Sequence, residues 1–366
     1  MARAQDPLWL ARPSRYAGLA RSHAIVVAAG LVFLVLVLAL APTPAPATGG
    51  GDGGYTDLSL YETVIDGMRA GGGYYQLLAD SLRAGGYPLR PFLTFRLPTH
   101  AAAQALIPRE VAGALLLLLA FGVAAAWWTR LAAALSRPAP RIAGMILLAG
   151  GMIAFVQRDL VGFHEIWAGP LVALSLALRA PGRWVEAVAL GLIAVLVRET
   201  AALYLLIMAG FAWRDGARQE ASGWLAALGV FALAMAVHAW AVSQVTGPLD
   251  PRSPGWTGLL GPGFVLEALA KATALQTLPA LLASVVAVLA LIGWTGWRDP
   301  LASRVATMLA AYALAVAVFA RADTFYWVLM IAPLWLTGLV FVPDIARDLT
   351  RAILDRRRVR VQRTAQ

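Results

Sequence analysis

A chain of 366 residues that is 60% hydrophobic and only 14% charged, with a mean hydropathy of +0.70, has too little polar surface for a water-soluble domain of that size. Composition therefore points to an all-α, polytopic integral membrane protein. The absence of cysteine excludes disulfide frameworks and thiolate metal centres. Only four histidines (His23, His100, His164, His238) and no Asp-x-Asp pair are present, so no cofactor is indicated, although carboxylates leave a divalent metal possible; no nucleic-acid partner is expected.

In chain order, a basic segment (1–23) precedes apolar runs at 24–41, 110–129, 142–156, 166–178, 184–197, 200–213, 223–243, 273–293, 304–320 and 325–343, and an arginine-rich tail (346–366) follows. These runs predict a bundle of about ten transmembrane helices, within a membrane domain spanning 24–345. The first run has a basic flank and a small-residue sequel like a signal peptide. Its length and the crowding prolines favour a retained span instead. With the N-terminus inside, 20 of the 30 basic residues fall on inner segments, as the positive-inside rule requires. Both termini are then cytoplasmic, and Trp127, Trp128, Trp184, Trp213, Trp224, Trp294 and Trp297 fall at inner boundaries, with Trp167, Trp240 and Trp327 at outer ones.

Residues 42–109 are the long hydrophilic segment, a large first outer loop. It opens with a Pro/Gly linker at 42–54 and then carries two short surface helices. The first runs from about Asp57 to Arg69, with Thr56 as N-cap and an apolar stripe of Leu60, Tyr61, Val64, Ile65 and Met68; the second runs from about Tyr74 to Ala84 and stops at Gly85. Beyond them, Pro88, Pro91 and Pro98 impose an extended path that presents Arg90 and Arg96 beside aromatic residues, a pairing suited to a lipid-borne phosphate or to anionic headgroups in general. Asp52, Asp57 and Glu62 follow the first span, where a carboxylate could serve as general base toward an outward cavity; Asp57 could equally complement a helix N-terminus.

The remaining outer signals lie in short hairpins. Arg198 and Glu199 interrupt an otherwise uncharged stretch from Ala187 to Trp213, and arms of about 14 residues reach only about 21 Å, short of the ~30 Å hydrocarbon thickness. Their apex must sit below the outer surface. The turn containing Gln157, Arg158, Asp159, His164 and Glu165 has the same design, and Arg321 and Asp323 separate the last two spans. Charges so placed mark either a functional cavity or a lock between hairpins. Together they suggest candidate catalytic carboxylates Asp57 and Glu62, and a substrate- or phosphate-binding set of Arg96, Arg158, Asp159, His164, Glu165, Arg198, Glu199 and Arg321.

The layout resembles the GT-C superfamily of polyprenol-phosphate-dependent membrane glycosyltransferases. The resemblance is carried by a first span followed at once by a large outer loop, an acid near its start (Asp57, then Tyr61-Glu62), and polar outer turns at Gln157-Arg158-Asp159, His164-Glu165-Ile166-Trp167 and Arg198-Glu199. The segment from Gly73-Tyr74-Tyr75 through Pro88-Leu89-Arg90-Pro91-Phe92 to Arg96-Leu97-Pro98-Thr99 is similar to uncharacterised bacterial members. It implies a multi-pass protein of the bacterial inner membrane that moves a sugar from a polyprenyl-phosphate donor to an acceptor at the outer, periplasmic face. Asp57 would be the base, and Arg96, Arg158 and Arg198 would face phosphate. Membrane lipids are expected partners. A transporter or flippase of a lipid-linked or anionic substrate, and a noncatalytic membrane subunit, are the competing readings.

Overall fold

A computed structural model describes residues 7–43 and 57–355; most of the linker, Asp52, the Thr56 cap and the tail arginines beyond residue 355 lie outside the described residues. The described chain is all-α: α1 Arg21–Ala39, α2 Asp57–Arg69, α3 Tyr74–Ala84, α4 Pro98–Ala105, α5 Arg109–Ala134, α6 Pro138–Gly151, α7 His164–Leu178, α8 Val185–Val197, α9 Ala202–Arg214, α10 Arg218–Ser243, α11 Gly261–Ala272, α12 Ala280–Trp294, α13 Pro300–Phe319, α14 Ala332–Trp335 and α15 Val342–Leu354.

Several of these helices are long and apolar enough to cross a bilayer, which marks the chain as a membrane protein. The expected count of about ten spans is corrected, however. Among the described residues, only α1, α5, α10 and α13 have the length and composition of a span, and a fifth is formed if the bent segment from Ala322 to Leu354 is taken as one. The apolar runs do become helical, but α7, α8 and α12 have 15, 13 and 15 residues. At 1.5 Å per residue that is roughly 20–23 Å, below the ~30 Å hydrocarbon core.

The last run is also not a single helix. It comprises a 3₁₀ segment Ala322–Met330, α14, a second 3₁₀ segment Leu336–Phe341 and α15, with a bend of 59°. Val328 to Leu336 are almost all buried, so this irregular backbone is shielded by protein, where such geometry is tolerated at membrane depth. Glycines admit it: a Cβ on Gly169 of α7 would stand 2.4 Å from the Leu329 carbonyl oxygen, and one on Gly293 of α12 would stand 1.9 Å from that of Gly338. Small residues at such crossings are what close backbone approach demands.

Helices α7 to α10 form a folded-back set with two distinct ends. The Ser175 hydroxyl in α7 touches both the Ala187 carbonyl of α8 (2.6 Å) and the Tyr204 hydroxyl of α9 (2.7 Å), which places the two arms beside each other. The break at Arg198 to Ala201 is thus a hairpin apex. At the opposite end, Arg179 pairs with Glu220, and Arg130 donates to the carbonyls of Ala177 and Arg179. The N-terminal segment docks at this arginine-rich end: the buried Asp344 carboxylate accepts the amides of Leu8, Trp9 and Leu10 at 2.7, 2.9 and 2.9 Å, and Asp348 accepts that of Ser14.

The other end carries a module built from α2, α3 and α4. It has its own apolar core of Leu60, Val64, Ile65, Leu78, Leu82, Leu89 and Phe95, closed by Val242 of α10. The observed bounds of α2 and α3 match the helices expected from their apolar stripes. The proline-rich stretch differs from the expected extended path: Phe92–Thr94 forms a 3₁₀ turn, and Pro98 opens α4, a position where its missing N–H costs nothing.

The segment between α10 and α11 is stitched onto this module. Arg83 makes a two-pronged contact with Asp250 (3.0 and 2.9 Å), Arg90 donates to the Pro248 carbonyl, and the Ser253 amide donates to the Arg90 carbonyl. The Arg83 pairing, with help from the Gly247 amide, holds the Asp250 carboxyl down at about 2.

Candidate functional site

A small cavity of about 90 Å³ lies where the module meets the bundle, bounded by Asp57, Tyr61, Tyr87, Arg96, Arg321 and Tyr326, with Trp256 and Trp327 also on its walls. Five separate regions converge here: the start of α2, α3, the proline-rich stretch, the segment between α10 and α11, and the turn after α13. Asp57 occupies the first turn of α2, where the helix dipole favours a carboxylate. Tyr326 donates a hydrogen bond to Asp57 Oδ2, and the Tyr87 hydroxyl reaches the same carboxylate. Burial first, then Asp57, pushes the Tyr87 phenol up, and burial pushes up that of Tyr61, so both stay protonated donors at neutral pH. An ionised carboxylate has about four acceptor positions; two tyrosines orient this one and leave capacity toward the cavity.

Behind the cavity wall runs a chain of alternating charge. Arg198 is fully enclosed; its Nε stands 2.6 Å from Glu165 Oε1, an ionic contact rather than a linear hydrogen bond, and its Nη1 stands 3.3 Å from Glu199 Oε2. Its guanidinium lies 5.5 Å from the centroid of the Trp327 ring. Glu199 accepts the Leu97 amide at 2.8 Å and stands 3.9 Å from Arg96, which donates to the Tyr61 hydroxyl at 3.4 Å. The sequence Glu165, Arg198, Glu199, Arg96 thereby ties the bundle to the module and ends at the cavity.

Two histidines pack against this chain. His164 lies 4.7 Å from the Tyr61 ring and 4.5 Å from His100, centroid to centroid, and His100 contacts Gln104 at 3.1 Å. Burial drives the His100 imidazole down to about 4.

Of the residues expected in the site, Asp57, Arg96 and Arg321 line the cavity, while Glu165, Arg198, Glu199 and His164 form its backing. Glu62 lies elsewhere. Five positions after Asp57 on a helix, it is turned by roughly 140°; it pairs with Arg109 at 2.7 Å and borders a separate cavity with Arg69 and Gln104. Arg158 and Asp159 are exposed and do not line the cavity. Arg321 is joined to Asp323 through two nitrogens, so its charge is partly answered within its own turn.

Sequence reasoning missed Tyr87, Tyr326 and Trp256 as wall residues, and His100 as part of the backing. The available signal was the Phe325-Tyr326-Trp327 triplet one residue after Arg321-Ala322-Asp323; it was hidden because those aromatics also begin an apolar run. Among the described residues, no three histidine or carboxylate side chains stand close enough to share a metal ion. Comparison with known protein families, curated proteins and solved structures finds no match for this chain.

Proposed function

We propose that this chain is a multi-pass glycosyltransferase of the bacterial inner membrane, with its N-terminus cytoplasmic and its cleft on the periplasmic side. The donor is a sugar on a polyprenyl phosphate. Asp57 takes the proton from an acceptor hydroxyl as that oxygen attacks the anomeric carbon; the bond from that carbon to the phosphate oxygen breaks, and the departing phosphate carries the negative charge. Arg96 and Arg321, on the walls of the same cavity, are the cations available to meet that charge. Arg198 is enclosed by Glu165 and Glu199, so its part is to hold Glu199 and, through it, Arg96.

The observation that carries this reading is a carboxylate oriented by two protonated tyrosines, facing two arginines in one cavity at the junction of bundle and surface module. A transport path finds less support, because the buried charged side chains gather at the two ends, Glu165 and Arg198 at one and Arg179, Glu220, Arg304, Asp344 and Asp348 at the other. The test is transfer of a radiolabelled sugar from a polyprenyl-phosphate donor in proteoliposomes. Asp57→Asn should reduce turnover by about 10²-fold or more, the usual contribution of a general base, with insertion unchanged. Near-normal turnover in that variant would remove Asp57 from this role.

A further inference from the structure

The arginine-rich end, remote from the cleft, contains a larger cavity of about 510 Å³ lined by Arg179, Trp184, Asp215, Arg218, Gln219 and Glu220, among others. Both of its carboxylates are already neutralised. Glu220 is held by Arg179 at 2.8 and 2.7 Å, and Asp215 meets Arg304 at 2.5 Å and Arg214 at 3.4 Å. The balance of charge in and around the cavity is therefore positive.

Arg218 supplies the cation free for a ligand. Its guanidinium lies 3.8 Å from the centroid of Trp213, and no carboxylate pairs with it among the described residues. The N-cap residues of α8 and α10, Trp184 and Ala217, are both on the cavity wall, and neither helix has a side-chain cap. Their first-turn amides add partial positive charge to that of the arginines. The flank is apolar: Trp213 is 60% and Val185 62% exposed, the character of a surface at the lipid boundary.

We infer that this cavity binds the phosphate of an anionic phospholipid headgroup, with Arg218 toward the phosphate and Trp213 and Val185 along the acyl chains. A basic pocket between helices at a membrane interface is the arrangement that retains such a lipid, and the stacked guanidinium is already set for a phosphate oxygen pair. The inference does not depend on the proposed chemistry at the cleft, and Arg218 has no part in that cleft.

The test is native mass spectrometry of the full-length, detergent-solubilised protein titrated with phosphatidylglycerol or phosphatidylcholine. Phosphatidylglycerol should be retained preferentially. Arg218→Gln should weaken that retention by about fivefold, the equivalent of one basic residue near a membrane surface, and Arg218→Glu by more. Arg137→Glu, an exposed arginine outside the cavity, should leave retention unchanged. Equal retention of the two lipids, or an equal loss in the Arg137 variant, would overturn the proposal in favour of a diffuse basic belt. Displacement of phosphatidylglycerol by an equimolar amount of inorganic phosphate would assign the cavity to soluble phosphate compounds and overturn the lipid assignment. Because Arg218 lies on the first turn of α10 with an exposed side chain, its Gln variant preserves the fold on which the comparison rests.

Discussion

Arg198 has no route to solvent, and that fact governs what its charge can do. With Glu165 and Glu199 both against it, removing the guanidinium leaves two carboxylates facing each other in a low-dielectric site. Arg198→Met should destabilise the protein by about 3–5 kcal/mol, the range for breaking one side of a buried ion pair, and a lowered thermal midpoint in detergent checks this. Combining it with Glu165→Gln should restore part of the loss, because one of the stranded charges is then gone. His100 gives a pH prediction in the surface module. Its folded imidazole sits near 4, below the ordinary 6.5, so the unfolded chain binds more protons between those values. Its stabilising effect is complete above pH 6.5 and is lost as pH falls toward 4, a span worth about 3 kcal/mol. Tryptophan fluorescence should follow the change, since Trp167 lies 6.2 Å from the His100 ring, and His100→Gln should flatten the profile.

Among elements, α2 shows how much of a site an amphipathic pattern conveys. The apolar stripe that seats α2 on its module also dictates that Asp57 and Tyr61, four positions apart, share a face while Glu62 turns away. That sorting of the two candidate acids was available from helical geometry once the helix had been drawn, but which face meets the cavity depended on the bundle. The N-terminal clasp was not legible at all: Asp344 and Asp348 lie just past the last apolar run, at the start of the arginine-rich tail, and carried no signal, whereas they hold the backbone of residues 8 to 14. Asp344→Ala strands three amides and should cost about 3 kcal/mol, the upper scale for a buried hydrogen bond to a charged group. Faster hydrogen exchange confined to residues 8–14 is the expected signature.

Across the whole molecule, the two ends are chemically unlike, one with a carboxylate and tyrosine cleft, the other with arginines closing helix termini. The absence of cysteine makes the orientation directly testable. A single cysteine in place of Leu249, which is 98% exposed on the cleft side, should react with a membrane-impermeant maleimide from the periplasm. One in place of the exposed Arg183 at the other end should react only after permeabilisation; the reverse pattern would invert the proposed topology.

By itself the sequence determined the all-α membrane class, the bounds of α2 and α3, the hairpin apex at Arg198, and the gathering of Asp57, Arg96 and Arg321 at one end, since each follows from periodicity or from the cost of charge in an apolar run. Only the tertiary structure decided how many runs are long enough to cross a bilayer, because helix length depends on where the chain breaks against its neighbours rather than on hydropathy. It also decided that Tyr326 and Tyr87 orient Asp57 and that Arg198 stands behind the wall. Asp57 and Tyr326 stand 269 positions apart in the chain, and no local pattern encodes a contact over that separation.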